Sequence, residues 1–289
     1  MKRELLVSAL LAALLATGAS AQTDARPRLR PWTGVIGDEK RQELADFATR
    51  INMAPETAMR RLSAVQSLEC RGLRITALVV AAPDIVVSAA HAFFERSGIR
   101  KSTTSCGIVV HREGFTKLHP IKINSIVTGK FRYGPIETNS PEDWAVLRLQ
   151  QPILGVEPLA LPPDNEKFVR DDQPVVLATG PQNNFPLTAG WTRIVESCAI
   201  RRVIDRGAGP SLIKTDCDTG IGASGGAYLA SLASGKPMLI GLQSANRGES
   251  GCEAYDEALC FALGVPVAGA LRDAILKKLE ETQTTSAER

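Results

Sequence analysis

The chain has 289 residues, 44% of them hydrophobic, and its formal net charge is +3. This length suits one large domain or two small ones and is ample for a buried core. Arg26, Arg28 and Arg30 cluster near the N-terminus, but they lie in a Pro-containing segment typical of a flexible leader. No other basic patch is dense enough to indicate a nucleic-acid partner, so that class of function is excluded.

The first 21 residues have the features of an export signal. Lys2 and Arg3 give a basic start, residues 5–16 are almost wholly apolar, and residues 19–21 (ASA) provide the small side chains that a signal peptidase requires. The apolar run is shorter than the ~20 residues that span a bilayer. We therefore predict cleavage after Ala21, a secreted or periplasmic protein, and no membrane association after cleavage.

Six cysteines, an even number in an exported chain, predict disulfide bonds. Six cysteines allow about fifteen pairings, so the sequence alone leaves their connectivity open. The pairs that we expect are Cys70–Cys106, closing a loop around His91, with Cys198–Cys217 and Cys252–Cys260. There is no Cys-x-x-Cys pair or His-rich cluster, so no metal is predicted.

The spacing of apolar residues changes along the chain. Residues 40–62 carry apolar side chains at helical spacing, interrupted by Pro55, which predicts two short surface helices. From Leu73 onward, short β-branched runs alternate with Gly and Pro turns. The predicted strands are 75–80, 85–88, 107–110, 121–127, 145–149, 175–178, 192–195, 238–242 and 260–263. An apolar stripe over residues 267–281 predicts a C-terminal helix.

Many short strands separated by turns predict an all-β fold, either a sandwich or a barrel. A connector containing Pro152, Pro158, Pro162 and Pro163 divides the strands into two groups of similar size. We expect a signal peptide at 1–21, a leader and N-terminal helical segment at 22–62, an N-terminal β-barrel at 63–155, a C-terminal β-barrel at 156–266, and a C-terminal helix and tail at 267–289.

Three segments carry residue types suited to nucleophilic catalysis. Residues 87–91 (VSAAH) lead from a strand to His91, a candidate general base. Residues 143–147 (DWAVL) place Asp143 at the start of a buried strand, where a carboxylate would fix the tautomer of that histidine. Residues 218–226 (DTGIGASGG) surround Ser224 with glycines. A tight turn there would expose the serine hydroxyl and direct the amides of Gly222 and Ser224 toward one point, as an oxyanion hole.

Each segment alone also has an ordinary structural interpretation: a core histidine, a solvated cap and a chance Gly-x-Ser-x-Gly. The order of the three along the chain favours catalysis. An α/β-hydrolase places its histidine after the serine, whereas His91, His111 and His119 all precede Ser224. The order His91, Asp143, Ser224 is the one found in chymotrypsin.

Residues 88–91 (SAAH), 143–147 (DWAVL) and 222–226 (GASGG) resemble the histidine, aspartate and serine motifs of the trypsin-like serine proteases. The resemblance runs from about Cys70 to the C-terminal helix. It implies two perpendicular six-stranded antiparallel β-barrels with the triad in the cleft between them. Residues 35–41 (VIGDEKR) and 217–219 (CDT) are similar to the bacterial branch related to glutamyl endopeptidases.

The resemblance includes one departure. Ala223 stands where the animal digestive enzymes carry the acid that pairs with a newly cut N-terminus. Activation through that ion pair is therefore not available to this chain.

The resemblance also implies a substrate pocket. Asp218 stands six residues before Ser224, where trypsin-like enzymes place the acid that binds Arg or Lys by a charge-assisted pair. Cleavage after Glu is the rival, with Thr219 and Gln243 as hydrogen-bonding partners of a substrate carboxylate. Against it, the histidine that Glu-specific relatives use appears here as Gln243.

The strand that carries Gln243 is expected to line the pocket and to pair with the substrate backbone. Ser244 would also support Asp143 by a hydrogen bond, and Asn246 replaces a glycine common at its position, which would narrow the entrance.

The sequence thus predicts a serine endopeptidase that hydrolyses protein or peptide substrates through an acyl-enzyme and needs no cofactor. Two alternatives stay open: a non-catalytic binding or regulatory protein on the same fold, and an esterase acting on small acyl esters. No feature of the sequence indicates an oligomeric state.

Overall fold

A computed structural model describes residues 34–112, 115–163, 168–183, 185, 193–206, 211–230, 232, 235–248 and 252–287. The predicted signal peptide and the leader up to residue 33 lie outside these residues. No helix in the described part of the chain is long and apolar enough to cross a membrane.

The two short helices predicted between residues 40 and 62 are present. A two-residue strand, β1 (Gln42–Glu43), leads directly into α1 (Leu44–Arg50), and α2 (Pro55–Arg61) follows. Pro55 occupies the first turn of α2, where its missing N–H costs no hydrogen bond. Leu44 and Phe47 are buried in the core, so α1 packs on the body of the protein through its apolar face.

The first half of the chain forms one antiparallel sheet of seven strands. The strands are β2 (Val65–Cys70), β3 (Leu73–Val79), β4 (Ile85–Ser88), β5 (Cys106–Arg112), β6 (Phe115–Pro120), β7 (Val127–Thr128) and β8 (Ala145–Arg148). Their spatial order is β6-β5-β2-β3-β4-β8-β7. A two-residue turn at Arg71 and Gly72 joins β2 to β3, and both residues have the positive φ that tight hairpins favour.

The strand predicted at residues 121–127 is wrong. Residues Ile123–Ser125 form a 3-10 turn, and only Val127–Thr128 pair with β8. The Ser125 hydroxyl bonds to the carbonyls of Lys122 and Arg148, an alternative to strand pairing that serine side chains often provide. A short helix, α3 (Ile136–Asn139), lies between β7 and β8.

The second half of the chain forms a closed barrel. Its six strands are β9 (Gln173–Thr179), β10 (Ile194–Ile204), β11 (Leu212–Thr215), β12 (Ala227–Ala230), β13 (Met238–Arg247) and β14 (Phe261–Pro266). The hydrogen-bonded order β10-β11-β14-β13-β12-β9 closes because β9 also pairs with β10. The N-terminal β1 extends this barrel by pairing with β10.

One hydrophobic core serves both halves of the protein. Val79 and Val146 of the first sheet belong to the same buried cluster as Ala178 and Leu229 of the barrel. The C-terminal helix α4 (Gly269–Ala287) contributes its apolar stripe to this cluster, including Leu271 and Ile275. The predicted all-β class with a C-terminal helix is confirmed.

All three predicted disulfide pairs are present. Cys70–Cys106 joins directly opposed residues of β2 and β5, and Cys198–Cys217 links β10 to the segment that follows β11. Cys252–Cys260 closes a short loop before β14.

Candidate active site

His91 and Asp143 meet because their strands are neighbours. His91 lies in a 3-10 turn, Ala90–Phe93, just beyond β4, and Asp143 lies two residues before the start of β8. Since β4 pairs with β8 in antiparallel register, both side chains reach the same edge of the sheet. Nδ1 of His91 lies 2.8 Å from Oδ2 of Asp143. The backbone amide of His91 also donates to Oδ1 of Asp143, at 2.8 Å.

Asp143 is buried and receives a third hydrogen bond, because the Ser244 hydroxyl donates to its Oδ2 at 2.7 Å. Three hydrogen bonds therefore hold this buried carboxylate in place. The Asp143 carboxylate accepts a hydrogen bond from Nδ1–H of His91, which leaves the lone pair of the neutral imidazole on Nε2. That tautomer is the one a general base requires.

Burial lowers the pKa of His91, while the charge of Asp143 and its hydrogen bond raise it. The two effects of Asp143 together exceed that of burial, so the pKa of His91 lies above the ordinary histidine value. Lys101 opposes the shift by charge repulsion. The imidazolium that a proton transfer would create is therefore stabilised where it forms.

Ser224 sits on a tight turn between β11 and β12. Gly222 and Gly225 have φ of +108° and +80°, which other residues adopt only with strain. A Cβ at Gly225 would lie 2.2 Å from the Thr76 carbonyl oxygen, so only glycine lets this turn approach the first sheet. The Thr76 amide donates to the carbonyl of Ser224 at 2.9 Å. The nucleophile candidate is thus fixed between the two halves of the protein.

The Ser224 hydroxyl donates to the backbone carbonyl of Ser244 at 3.3 Å, and no described contact joins it to His91. Ser244 thereby connects Ser224 to Asp143 through its carbonyl on one side and its hydroxyl on the other. A serine–histidine hydrogen bond is often long in a free enzyme and shortens when substrate binds.

The segment before Ser224 is held by a neighbouring loop, residues 180–183. The Asn183 amide donates to the carbonyl of Ile221 at 2.9 Å, and the Thr76 hydroxyl donates to the carbonyl of Gly222 at 2.9 Å. A Cβ at Gly222 would lie 2.6 Å from the Pro181 carbonyl oxygen, so the loop touches this turn closely.

The N-terminal segment surrounds the predicted pocket residue Asp218. Its carboxylate is fully buried and accepts the backbone amides of Ile36 and Lys40, at 2.7 and 2.8 Å. Both oxygens are therefore occupied by the N-terminal segment. This geometry does not support the expectation that Asp218 binds a basic side chain of a substrate, because backbone amides of the N-terminal segment already bind both carboxylate oxygens.

A second buried carboxylate, Glu196 of β10, was not anticipated from the sequence. Its Oε2 accepts the amide of Asp218 at 2.8 Å, and its Oε1 lies 3.5 Å from Nζ of Lys40. Burial and the nearby charge of Asp218 raise the pKa of Glu196 well above its usual range, against the opposing effect of Lys40. Its position in an ordinary strand gave no sequence signal.

The other predicted pocket residues lie on neighbouring segments and are uncharged. The Asn246 side-chain amide donates to the Thr219 hydroxyl at 2.7 Å, and the Thr219 amide donates to the carbonyl of Gly34 at 3.0 Å. Gln243 is buried, accepts a hydrogen bond from the Tyr228 hydroxyl, and donates to the carbonyl of Ala245 at 2.7 Å.

No protein-family model and no curated protein matches the chain. Solved structures do match, among them a Glu endopeptidase in complex with MPD. That match covers 84% of this chain and 98% of the other, with a TM-score of 0.55 and 16% sequence identity. The fold is chymotrypsin-like.

In this chymotrypsin-like fold the face of His91 carries an aromatic cluster that sequence reasoning missed. The Phe131 ring lies 6.1 Å from the imidazole and 5.1 Å from the ring of Tyr133. The Tyr133 hydroxyl donates to the carbonyls of His91 and Phe94, at 3.2 and 3.3 Å. The only sequence signal was two aromatic residues in a polar segment ahead of Asp143.

Proposed function

We propose that the protein is an exported serine endopeptidase with His91, Asp143 and Ser224 as its triad. The observation that carries the proposal is the network in which Asp143 binds both His91 and Ser244, while Ser244 binds Ser224. A protein that used this fold only for binding would have no need of a glycine-built serine turn beside an oriented imidazole.

The reaction follows from these positions. Ser224 Oγ attacks the substrate carbonyl while Nε2 of His91 takes the hydroxyl proton, and Asp143 stabilises the resulting imidazolium. The amides of Gly222 and Ser224 hold the tetrahedral oxyanion. The imidazolium then gives its proton to the leaving amine, and water repeats the sequence to release the acyl group. Every proton moves between groups of the chain, the substrate and water, so no cofactor enters.

The preference for Arg or Lys loses its support, because the Asp218 carboxylate is buried and bound to backbone amides. The candidate pocket residues Thr219, Gln243 and Asn246 are uncharged. The Thr219 hydroxyl accepts a hydrogen bond from the Asn246 side-chain amide at 2.7 Å, and among the described residues no carboxylate binds either side chain. This arrangement, together with the structural likeness to a Glu endopeptidase, favours cleavage after Glu over cleavage after a basic residue.

The test is to express the full chain with its own signal in a host with an oxidising periplasm, beside Ser224→Ala. Mass spectrometry of the recovered protein would locate the N-terminus that export produces. Each protein would then be incubated with a denatured protein mixture, and the new peptide ends mapped. Removing a triad serine lowers turnover by roughly a million-fold, so the variant is a silent control.

Cuts by the wild type alone would support the proposal, and their sequence context would decide between Glu and basic residues. Turnover of small acyl esters without any peptide cleavage would replace the endopeptidase with an esterase. Equal silence of both folded proteins on peptides and esters would refute catalysis and favour a binding protein.

A further inference from the structure

Arg41 is a buried cation next to the active-site turn. It is only 4% exposed, although it lies in the N-terminal segment before α1. Nε and Nη2 bind the two carboxylate oxygens of Glu39, at 2.7 and 2.6 Å, and Nη1 donates to Oε1 of Gln182 at 2.6 Å. The guanidinium also stacks over the ring of Phe185, 5.4 Å from its centre. Its planar fork is thus fixed by partners from two segments of the chain.

Gln182 passes this constraint to the loop of residues 180–183. Its side chain is buried between Arg41 and Thr179, since Nε2 donates to the Thr179 hydroxyl at 2.9 Å. Both ends of the amide are therefore bonded. The next residue, Asn183, then donates its own amide to the carbonyl of Ile221.

That last bond fixes a peptide plane that matters for catalysis. The Ile221 carbonyl and the Gly222 N–H belong to one planar peptide unit and point in opposite directions. A hydrogen bond that holds the carbonyl therefore also holds the N–H. Gly222 has a positive φ and no side chain, so little within the turn itself prevents this plane from rotating.

We propose that Arg41 is a positioning residue for the oxyanion hole: through Gln182 and the Asn183 amide it fixes the peptide between Ile221 and Gly222. The catalytic consequence rests on the proposed function, whereas the positioning itself does not. The guanidinium of Arg41 is held by Glu39, Gln182 and Phe185, so its effect on catalysis would be indirect. The N-terminal segment thereby contributes directly to the geometry in which Gly222 meets a developing negative charge.

The chain offers a matched control in Arg148. Its guanidinium also binds one carboxylate, that of Asp84, and is largely buried. It lies at the far end of β8 from Asp143, away from the oxyanion turn. Arg148→Met removes a comparable ion pair and should lower stability without altering that turn.

The experiment compares wild type, Arg41→Met, Arg41→Lys and Arg148→Met, each exported as the full chain. Hydrogen exchange of the Asn183 amide and the thermal unfolding midpoint are measured for all four. Steady-state hydrolysis of p-nitrophenyl acetate gives kcat and KM separately, on a substrate that needs no specificity pocket. Loss of one oxyanion donor costs roughly 100- to 1,000-fold in kcat, so we expect a positioning defect to cost about 10- to 100-fold.

In Arg41→Met we expect the Asn183 amide to exchange about tenfold faster or more, and kcat to fall with KM within about twofold of wild type. Arg41→Lys should recover only part of kcat, since an ammonium cannot bind Glu39 through two nitrogens and also reach Gln182. Arg148→Met should leave both the exchange rate and kcat near wild type.

Unchanged Asn183 exchange in a folded Arg41→Met would overturn the positioning role, as would an equal fall of kcat in Arg148→Met. If wild type does not hydrolyse the ester but the exchange effect appears in Arg41→Met alone, the proposed function fails and the positioning stands. If wild type is active and Arg41→Met matches it in both exchange and kcat, the positioning role fails and the proposed function stands.

Discussion

Two opposing effects act on the imidazole of His91. Burial disfavours its charged form, and the Asp143 carboxylate favours it more strongly. The raised pKa stabilises the folded protein below the pKa of an unfolded histidine, and that contribution disappears as the pH rises through the folded value. Catalysis has the opposite requirement, because only the neutral ring can accept a proton.

We therefore expect kcat/KM for a peptide substrate to rise with pH along a single ionisation whose apparent pKa lies above about 6.5, the ordinary histidine value. Asp143→Asn should reduce kcat by roughly 10,000-fold, because the wrong tautomer is then favoured. A pH-rate profile of both proteins is the measurement. A wild-type ionisation at or below about 6.5, the ordinary histidine value, would contradict the assigned role of Asp143.

Ser244 is the second residue on which the site depends. Ser244→Ala removes one of three donors to a buried carboxylate, and a hydrogen bond to a charged group contributes about 1.5–3 kcal/mol. We expect the free energy of unfolding in urea at pH 7 to fall by about 2 kcal/mol. Ser224→Ala is the matched control, since it also loses a hydroxyl but leaves the donors of Asp143 in place. Equal destabilisation of the two variants would argue against this role.

At the scale of elements, the candidate catalytic motifs could be recognised in the sequence because each is local. His91 and Asp143 come from short segments next to β-branched strands, and Ser224 comes from a run of glycines. Other strands escaped prediction: β2 carries the buried polar residues Gln66 and Ser67, and β11 buries Lys214 against the ring of Phe261, 4.1 Å from its centre. In these strands tertiary contacts outweigh local preference.

The hydrogen-bond partners of Asp218 were unpredictable from the sequence for the same physical reason. Its partner amides at Ile36 and Lys40 lie 182 and 178 residues away in sequence. Glu196, whose carboxyl binds the Asp218 amide, lies 22 residues away on another strand. Contacts between residues so far apart in sequence leave no local sequence pattern. Only the folded structure shows that these carboxylates bind the N-terminal segment.

Glu196→Gln tests this anchor. The raised folded pKa of Glu196 means that its contribution to stability is complete below the unfolded value and is lost as the pH rises through the folded value. Glutamine keeps an acceptor for the Asp218 amide and does not ionise. We expect the free energy of unfolding of wild type to decline relative to the variant as the pH rises above about 4.3, the value for an unfolded glutamate. If the free energies of unfolding of the two proteins, measured by urea titration, change in parallel with pH, the ionisation of Glu196 does not affect stability.

At the scale of the whole molecule, the disulfides close loops of very different length. Cys70–Cys106 spans 36 residues and Cys252–Cys260 spans 8. Loop-closure entropy then assigns about 4 kcal/mol to the first and about 2.5 kcal/mol to the second. Replacing each pair by alanines and comparing the free energies of unfolding should reproduce that order. A larger loss from the short loop would mean that contacts in the folded state, and not chain entropy, dominate.

The placement of the N-terminal segment bears on when the proposed activity would arise. Residues 34–41 are synthesised early, yet the Asp218 carboxylate that binds the amides of Ile36 and Lys40 follows 182 and 178 residues later. Contacts this distant in sequence form late in folding. Under the proposed function, a nascent chain would therefore have an unsupported oxyanion turn. It would gain hydrolytic power only after its barrel has closed, which would protect the cell that makes it.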